Sequence, residues 1–348
     1  MMRWIMNDFV GMILRGSLGE EEQELATIKD VAERAGVTVT TVSRVLNNRG
    51  YISEETREKV HRVMREMQYQ PNEIARSLSR KKTMILGVII PTIAHPFFAE
   101  LTNYIEKYAS QRGYKILLCN SRMNQGKEKE YIDMLTSNRV DGMFMSSHTL
   151  EVDEYKKLKQ PIITFDRRIA DIPYVSSDNE QGGIYAAELL LKKECRKIAH
   201  ITGNLGLDLL SNQRTDGFVR TLRAQGVEPI VIELGPDVFE SEGYEQVITS
   251  LLEQNPDIDG IFTSSDILAM NVIKVCMGKG IDIPGRIKLI GYDDIEMASL
   301  VTPALTTIKQ PIEEMAERAV HLLDGLIRGE EIKNENVLPV TLVERGST

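Results

Sequence analysis

The chain has 348 residues, of which 42% are hydrophobic and 27% charged, with a formal net charge of −9. This length carries two or more domains with a large core, and the composition excludes a fibrous or disordered chain. No apolar run approaches the ~20 residues that cross a bilayer. Three distant cysteines, Cys119, Cys195 and Cys276, give no disulfide or metal framework and fit a reducing cytoplasm.

Residues 1–25 begin with an amphipathic stretch that Asp8 interrupts, with no small-residue cleavage site, so they do not read as a signal peptide. Gly19-Glu20-Glu21-Glu22 can be encoded by a purine-rich run like a ribosome-binding site, and Leu25 by a TTG start. The expectation is an extension, disordered or untranslated, with the protein starting at position 25.

Residues 26–70 read as three helices. Ile28, Val31, Ala32 and Ala35 follow the three-and-four spacing of one helix face. Gly36 and Val37 supply a turn, and Thr38 is placed to cap a second helix whose buried face is Val42, Val45 and Leu46. Val39, Thr40, Thr41, Ser43 and Arg44 then point outward, with reach suited to bases and phosphates, and Asn47 is assigned with them. Arg44 can donate two hydrogen bonds to guanine. A third helix, Ser53 to Met67, turns Val60, Val63, Met64 and Met67 inward. Two helices about a tight turn place the second in a DNA major groove. Charge agrees: residues 27–82 carry +5 and residues 83–348 carry −11. The basic excess sits where phosphates would be met.

From Met84 the pattern alternates between strand and helix, in two runs, which predicts two parallel sheets covered by helices. The strands are expected at 85–90, 114–119, 140–145 and 162–165, then at 197–202, 229–233, 260–263 and 287–292. Ligands of open parallel sheets bind beyond the C-terminal strand ends. His95-Pro96-Phe97-Phe98, Asp166, Arg167 and Asp293 fall there, Arg214 opens a helix, and Phe239 sits in a loop. Aromatic faces with Asp and Arg forks suit a sugar, whose C–H faces stack while its hydroxyls bridge charged groups. Each residue also has a plainer reading. Phe97 and Phe98 can be core, Asp178 can be structural, Asp266 reads as a helix cap outside the site, and Ser147 and His148 can be a solvated loop. No Gly-rich phosphate loop is present, and Gly291-Tyr292-Asp293-Asp294, with no His nearby in sequence, reads as a strand end plus a turn. No catalytic residue, metal ligand or cofactor is assigned.

Residues 27–82, with TIKDVAERAGV, TTVSRVLN, YQPN and ARSL, resemble the headpiece of the LacI/GalR family of bacterial transcriptional regulators. The resemblance continues through VDG (140–142), FDR (165–167), SDN (177–179), HITGN (200–204), IGYDD (290–294) and PALTTIKQP (303–311). It implies a helix-turn-helix headpiece at 26–70, a hinge at 71–83, and a periplasmic-binding-protein-like effector and dimerisation domain at 84–348. The expected subdomains are about 84–178 plus 310–331, and 179–309 plus 332–348. It also implies a homodimer on a pseudo-palindromic double-stranded operator, with hinge residues Asn72, Ala75, Arg76 and Leu78 in the minor groove and Leu78 as the wedge. The pocket residues, now including Gln310, would take a sugar or sugar phosphate, with no membrane partner. KEKEYIDML, VSSDN, TIKQPIEE and LPVTLVERG are most similar to the sucrose-operon group, implying sucrose or a related fructoside. A ribose- or catabolite-control-type regulator is the alternative within the family. A free sugar-binding protein is disfavoured by the basic helix-turn-helix, and a sugar-acting enzyme by the missing nucleophile and cofactor motifs.

Overall fold

The computed structural model describes residues 26–70, 82–147, 149–235 and 241–348. The hinge candidates Asn72, Ala75, Arg76 and Leu78, together with Phe239, His148 and residues 1–25, lie outside the described residues. The chain divides into two compact units between Thr83 and Met84.

The first unit holds α1 (Ile28–Ala35), α2 (Val39–Asn47) and α3 (Glu54–Glu66). Their ends are set by side chains. The Asp30 carboxylate accepts the Thr27 N–H at 2.7 Å, and Thr27 Oγ1 accepts the Asp30 N–H at 3.4 Å, a reciprocal cap. Gly36 ends α1 at φ +61°, a left-handed position that glycine takes without a Cβ clash. Thr38 caps α2 by accepting the Thr41 N–H at 3.1 Å, and Ser53 caps α3 by accepting that of Thr56 at 3.4 Å. Val31, Ala32, Ala35, Val42, Val45, Val60 and Val63 are buried together. Helices this short are marginal alone, so this shared core holds them.

The second unit begins with β1 (Ile85–Ile90), α4 (Pro96–Gln111), β2 (Lys115–Asn120), α5 (Gln125–Ser137), β3 (Gly142–Met145), α6 (Val152–Lys156), β4 (Ile162–Phe165) and β5 (Tyr174–Ser177). It continues with α7 (Asn179–Lys192), β6 (Ile198–Thr202), α8 (Asn212–Ala224), β7 (Ile230–Glu233), α9 (Ser241–Gln254), β8 (Gly260–Thr263), α10 (Asp266–Gly278) and β9 (Lys288–Asp293). After a 3-10 turn at Glu296–Ser299 come β10 (Thr306–Lys309), α11 (Ile312–Arg328), β11 (Glu335–Leu338) and β12 (Thr341–Val343). Two six-stranded sheets result, ordered β11-β5-β4-β3-β1-β2 and β12-β10-β9-β8-β6-β7. The strand runs ILGVII and LIGYD are almost wholly buried, as strands covered on both faces must be.

The two sheets are parallel as expected apart from one edge of the second, where β12 runs antiparallel to β10. One expectation is corrected. Residues 335–338 belong to the first sheet rather than to the second subdomain, since β11 pairs in parallel with β5. Asn336 fixes that edge, its side-chain amide donating to the Tyr174 carbonyl at 3.3 Å and the Lys333 carbonyl at 2.9 Å. Leu338 packs on the first core and Val340 is buried in the second, so the last crossover lies between them.

Candidate nucleic-acid interface and effector cleft

On α2, burial of Val42 and Val45 turns the opposite face outward. Thr40 and Arg44 are exposed, Val39 is 41% exposed, and Ser43 and Asn47 are half-buried at the rim. Thr41 is half-buried as well, and its hydroxyl lies 2.9 Å from that of Thr38 at the helix start. The Asn47 amide donates to the Ser43 carbonyl at 2.9 Å. Val39, Thr40, Ser43, Arg44 and Asn47 line one surface depression with Arg49. Sequence reasoning missed Arg49; its signal is a cation just beyond the recognition helix. One face thus presents apolar, hydroxyl and guanidinium groups, the set that reads major-groove edges.

In the second unit, β1 sits between β3 and β2, and β6 between β8 and β7. Strand order reverses at these places, which opens a crevice at the C-terminal strand ends. Asp166 follows β4 there, at φ +58°. Its backbone carbonyl accepts the Leu210 N–H at 2.8 Å, and its carboxylate accepts the Ser211 N–H at 3.1 Å. Both donors precede α8, so this contact crosses from one sheet's strand ends to the other's. The same carboxylate accepts the Asn179 amide at 3.0 Å. Asn179 Oδ1 accepts Arg214 Nε at 2.6 Å, and Arg214 also donates to the Ser264 carbonyl at 2.9 Å. The Arg214 guanidinium lies 3.7 Å from the centre of the Tyr292 ring, a cation–π contact in a buried setting. Beyond Tyr292, Asp293 accepts Gln310 Nε2 at 2.7 Å. Asp166, Asn179 and Arg214 are therefore joined by hydrogen bonds, and the separate Asp293–Gln310 pair feels the Arg214 and Asp166 charges.

Glycines make this approach possible. A Cβ on Gly183 of α7 would lie 2.0 Å from the Arg214 carbonyl oxygen. A Cβ on Gly291 would lie 2.2 Å from an Asp266 carboxylate oxygen, so the glycine of IGYDD makes room for Asp266. Asp266 is not the cap of α10; Ser265 is, accepting the Leu268 N–H at 3.4 Å. The Asp266 carboxylate instead accepts from the Thr307 hydroxyl at 2.6 Å and the Ile295 N–H at 2.9 Å. A carboxylate remote in sequence thus stands near Asp293, brought there by β8 and α10. Burial, and then the charge of Asp293, raise the Asp266 pKa well above the usual carboxylate range. Burial pushes Asp293 up to about 7, with Arg214 and Gln310 opposing the shift. Asp293 and Asp294 both hold positive φ, +114° and +59°. Strained backbone of this kind gathers where a site dictates conformation. Asp178 caps α7 by accepting the Gln181 N–H at 3.1 Å, a structural role.

Phe97 and Phe98 are half-buried, packed against the first core and set edge to face at 5.2 Å. His95 meets Phe98 at 5.6 Å, and burial followed by the Arg214 charge lowers its pKa to about 4. It is therefore neutral at physiological pH. Its Nδ1 and the Asn120 Oδ1, both buried at strand ends of the first sheet, make no hydrogen bond among the described residues. Arg167 turns into the first sheet's side, its guanidinium donating to the Leu150 carbonyl at 3.2 Å over the Tyr155 ring. The sequence reading missed Asn179 and Tyr292, although both lie in motifs it had singled out. Among the described residues, no cluster of His, Cys, Asp and Glu could hold a metal ion, and no helix is long and apolar enough to cross a membrane.

Residues 27–72 match the bacterial regulatory proteins of the lacI family, and residues 187–348 match the periplasmic binding protein-like domain. The chain is 40% identical to the sucrose operon repressor of Streptococcus mutans, over 92% of this chain and 98% of that one. It is 37% identical to the ribose operon repressor of Halalkalibacterium halodurans, over 93% and 97%. The fold is similar to the lac repressor dimer bound to operator and the anti-inducer ONPF, with a TM-score of 0.83 and 27% identity over 93% of this chain and 99% of that one. It is also similar to a periplasmic binding protein/LacI transcriptional regulator from Alkaliphilus metalliredigens complexed with D-xylulofuranose, with a TM-score of 0.71 and 36% identity over 76% and 99%. Helix-turn-helix, paired sheets and relatives matched along nearly their whole length agree: the chain belongs to the lacI family of bacterial regulatory proteins.

Proposed function

We propose that this protein represses a carbohydrate-utilisation operon, binding a pseudo-palindromic operator as a homodimer and responding to sucrose or a related fructoside. It is a sugar-responsive transcriptional repressor and not an enzyme. Work on a chromosomal operator implies a cytoplasmic protein. The observation that carries the reading is the Asp166–Asn179–Arg214 network beside the Asp293–Gln310 pair, in a chain that also bears an exposed recognition face. The cleft is rich in acceptors, and Arg214 already donates to Asn179 and Ser264. That balance suits neutral hydroxyls better than a phosphate dianion. His95 Nδ1 and Asn120 Oδ1 add polar atoms for further hydroxyls, Phe97 and Phe98 supply apolar faces, and Arg167, beside Asp166 after β4, donates to the sugar from the first sheet's side.

On DNA, Val39, Thr40, Ser43, Arg44, Asn47 and Arg49 read the major groove of each half-site. The ARSL resemblance assigns Leu78 to a minor-groove wedge, with Asn72, Ala75 and Arg76 beside it. Ribose is the second reading, favoured by the 37% identity to a ribose operon repressor. Gel shifts on an operator selected from random duplexes, with and without sucrose, fructose, ribose and a sugar phosphate, test the whole proposal. A shift altered by sucrose or a fructoside supports it. Failure to select any duplex sinks the operator claim, and a complex indifferent to every sugar sinks the effector claim.

A further inference from the structure

Glu128, on α5, has no exposed surface. Its carboxylate accepts from the Ser147 hydroxyl at 2.6 Å, the Thr149 hydroxyl at 2.8 Å, the Thr149 N–H at 3.1 Å and the Tyr155 hydroxyl. Ser147 Oγ lies 2.7 Å from Ser121 Oγ, which donates to the Ile90 carbonyl at 3.1 Å. The carboxylate therefore ties the segment after β3 to the short helix α6, and Ser147 brings it beside Ser121 at the end of β2. A buried carboxylate is costly unless its lone pairs are filled, so this set of donors is committed to Glu128.

The network has a direction. The Tyr155 hydroxyl gives its proton to Glu128, which leaves an oxygen lone pair for the Leu150 N–H at 3.2 Å. The Leu150 carbonyl in turn accepts Arg167 Nη1 at 3.2 Å. The Tyr155 ring lies under the same guanidinium, 5.6 Å from its carbon. Two routes, one through the Leu150 backbone and one through the aromatic face, lead from Glu128 to Arg167.

We propose that Glu128 is a positioning residue of the sugar site, setting the Tyr155–Leu150 frame that aims Arg167. This rests on the reading of Arg167 as a sugar contact. Glu128→Gln keeps the size but replaces an acceptor oxygen by a donor, so the Tyr155 proton loses its fixed direction. Tyr155→Phe keeps the ring beneath Arg167 and removes the hydroxyl link.

The test uses the full chain, with each variant alone and combined with Arg167→Ala. Sucrose binding is followed by calorimetry and the Arg167 Nε–H by nitrogen NMR. Glu128→Gln is expected to weaken sucrose about tenfold with Arg167 present and less than about twofold once Arg167 is alanine, because residues acting as one unit are not additive. The Arg167 resonance should shift in Glu128→Gln, and sugar-free operator affinity should not change. Equal losses in both backgrounds, or an unmoved Arg167 resonance, would overturn the proposal. If Glu128→Gln does not fold, Tyr155→Phe decides by the same cycle. If the native protein binds neither sucrose nor ribose, the effector reading fails, and the Arg167 resonance alone decides the positioning role.

Discussion

Lowering pH should destabilise the second unit through His200, which has no exposed surface on β6. Its ring stacks on Phe262 at 4.7 Å and meets Phe218 at 5.2 Å. Nδ1 lies 3.1 Å from the Phe262 carbonyl, and Nε2 lies 3.0 Å from the Thr215 hydroxyl. Burial is the main reason its pKa falls to about 4, with the Arg214 charge acting in the same direction. The unfolded chain titrates near 6.5, so as pH falls it takes up this proton before the folded protein does. The stabilisation is complete above pH 6.5 and lost as pH falls towards 4. The shift corresponds to about 3 kcal/mol in full, and to about 2 kcal/mol by pH 5. Urea unfolding of native protein and His200→Gln, compared from pH 7.5 to 5, isolates the term. His95 and the carboxylates contribute to both proteins and cancel in the difference. The native protein should lose about 2 kcal/mol more than the variant over that range. Parallel pH profiles would refute the assignment of a neutral, buried His200.

Arg44→Ala should cost ~1–3 kcal/mol of operator binding and relax preference at one base pair, measured on a panel of operator variants; uniform loss on every sequence would make Arg44 a phosphate contact. Gly183→Ala should lower the melting temperature and weaken sugar binding, because the new Cβ would meet the Arg214 carbonyl and the Phe218 backbone nitrogen, which cannot yield as a side-chain tip would. Unchanged melting and calorimetry would show that α7 and α8 separate freely. Asp293 has a raised folded pKa, so its contribution is present at low pH and lost as pH rises through about 7. Asp293→Asn should therefore gain thermal stability relative to the native protein between pH 6 and pH 8 while losing sugar affinity; an equal offset at both pH values would contradict the raised pKa.

Local chemistry made much of this molecule legible from the chain. Thr38, Gly36 and Ser53 act on backbone groups a few residues away, so their helix ends followed from spacing alone. Continuous apolar runs such as ILGVII marked buried strands for the same reason. Asp166, Asp293 and Gln310 could be named because they sit at strand ends or in recognisable motifs, and Arg214 because it opens a helix. What escaped depends on distant chain segments. Asp266 looked like a helix cap because its real partners, Thr307 and Ile295, are remote in sequence. Arg167 faces Tyr155 and Leu150 rather than joining the Asp166–Arg214 network, and no periodicity reports that. The edge strand β11 is short and only partly buried, so it gave no run to detect, and its pairing with β5 placed the last crossover later than expected.

The central claim is that one protein couples a sugar to an operator, and reciprocity makes it measurable. Sugar affinity should be determined by calorimetry on the free homodimer and on the same homodimer saturated with operator, and operator affinity with and without saturating sugar. The account predicts that the two ratios are equal, since a coupling free energy acts equally in both directions. Sugar bound with the same affinity to free and operator-bound protein would contradict it.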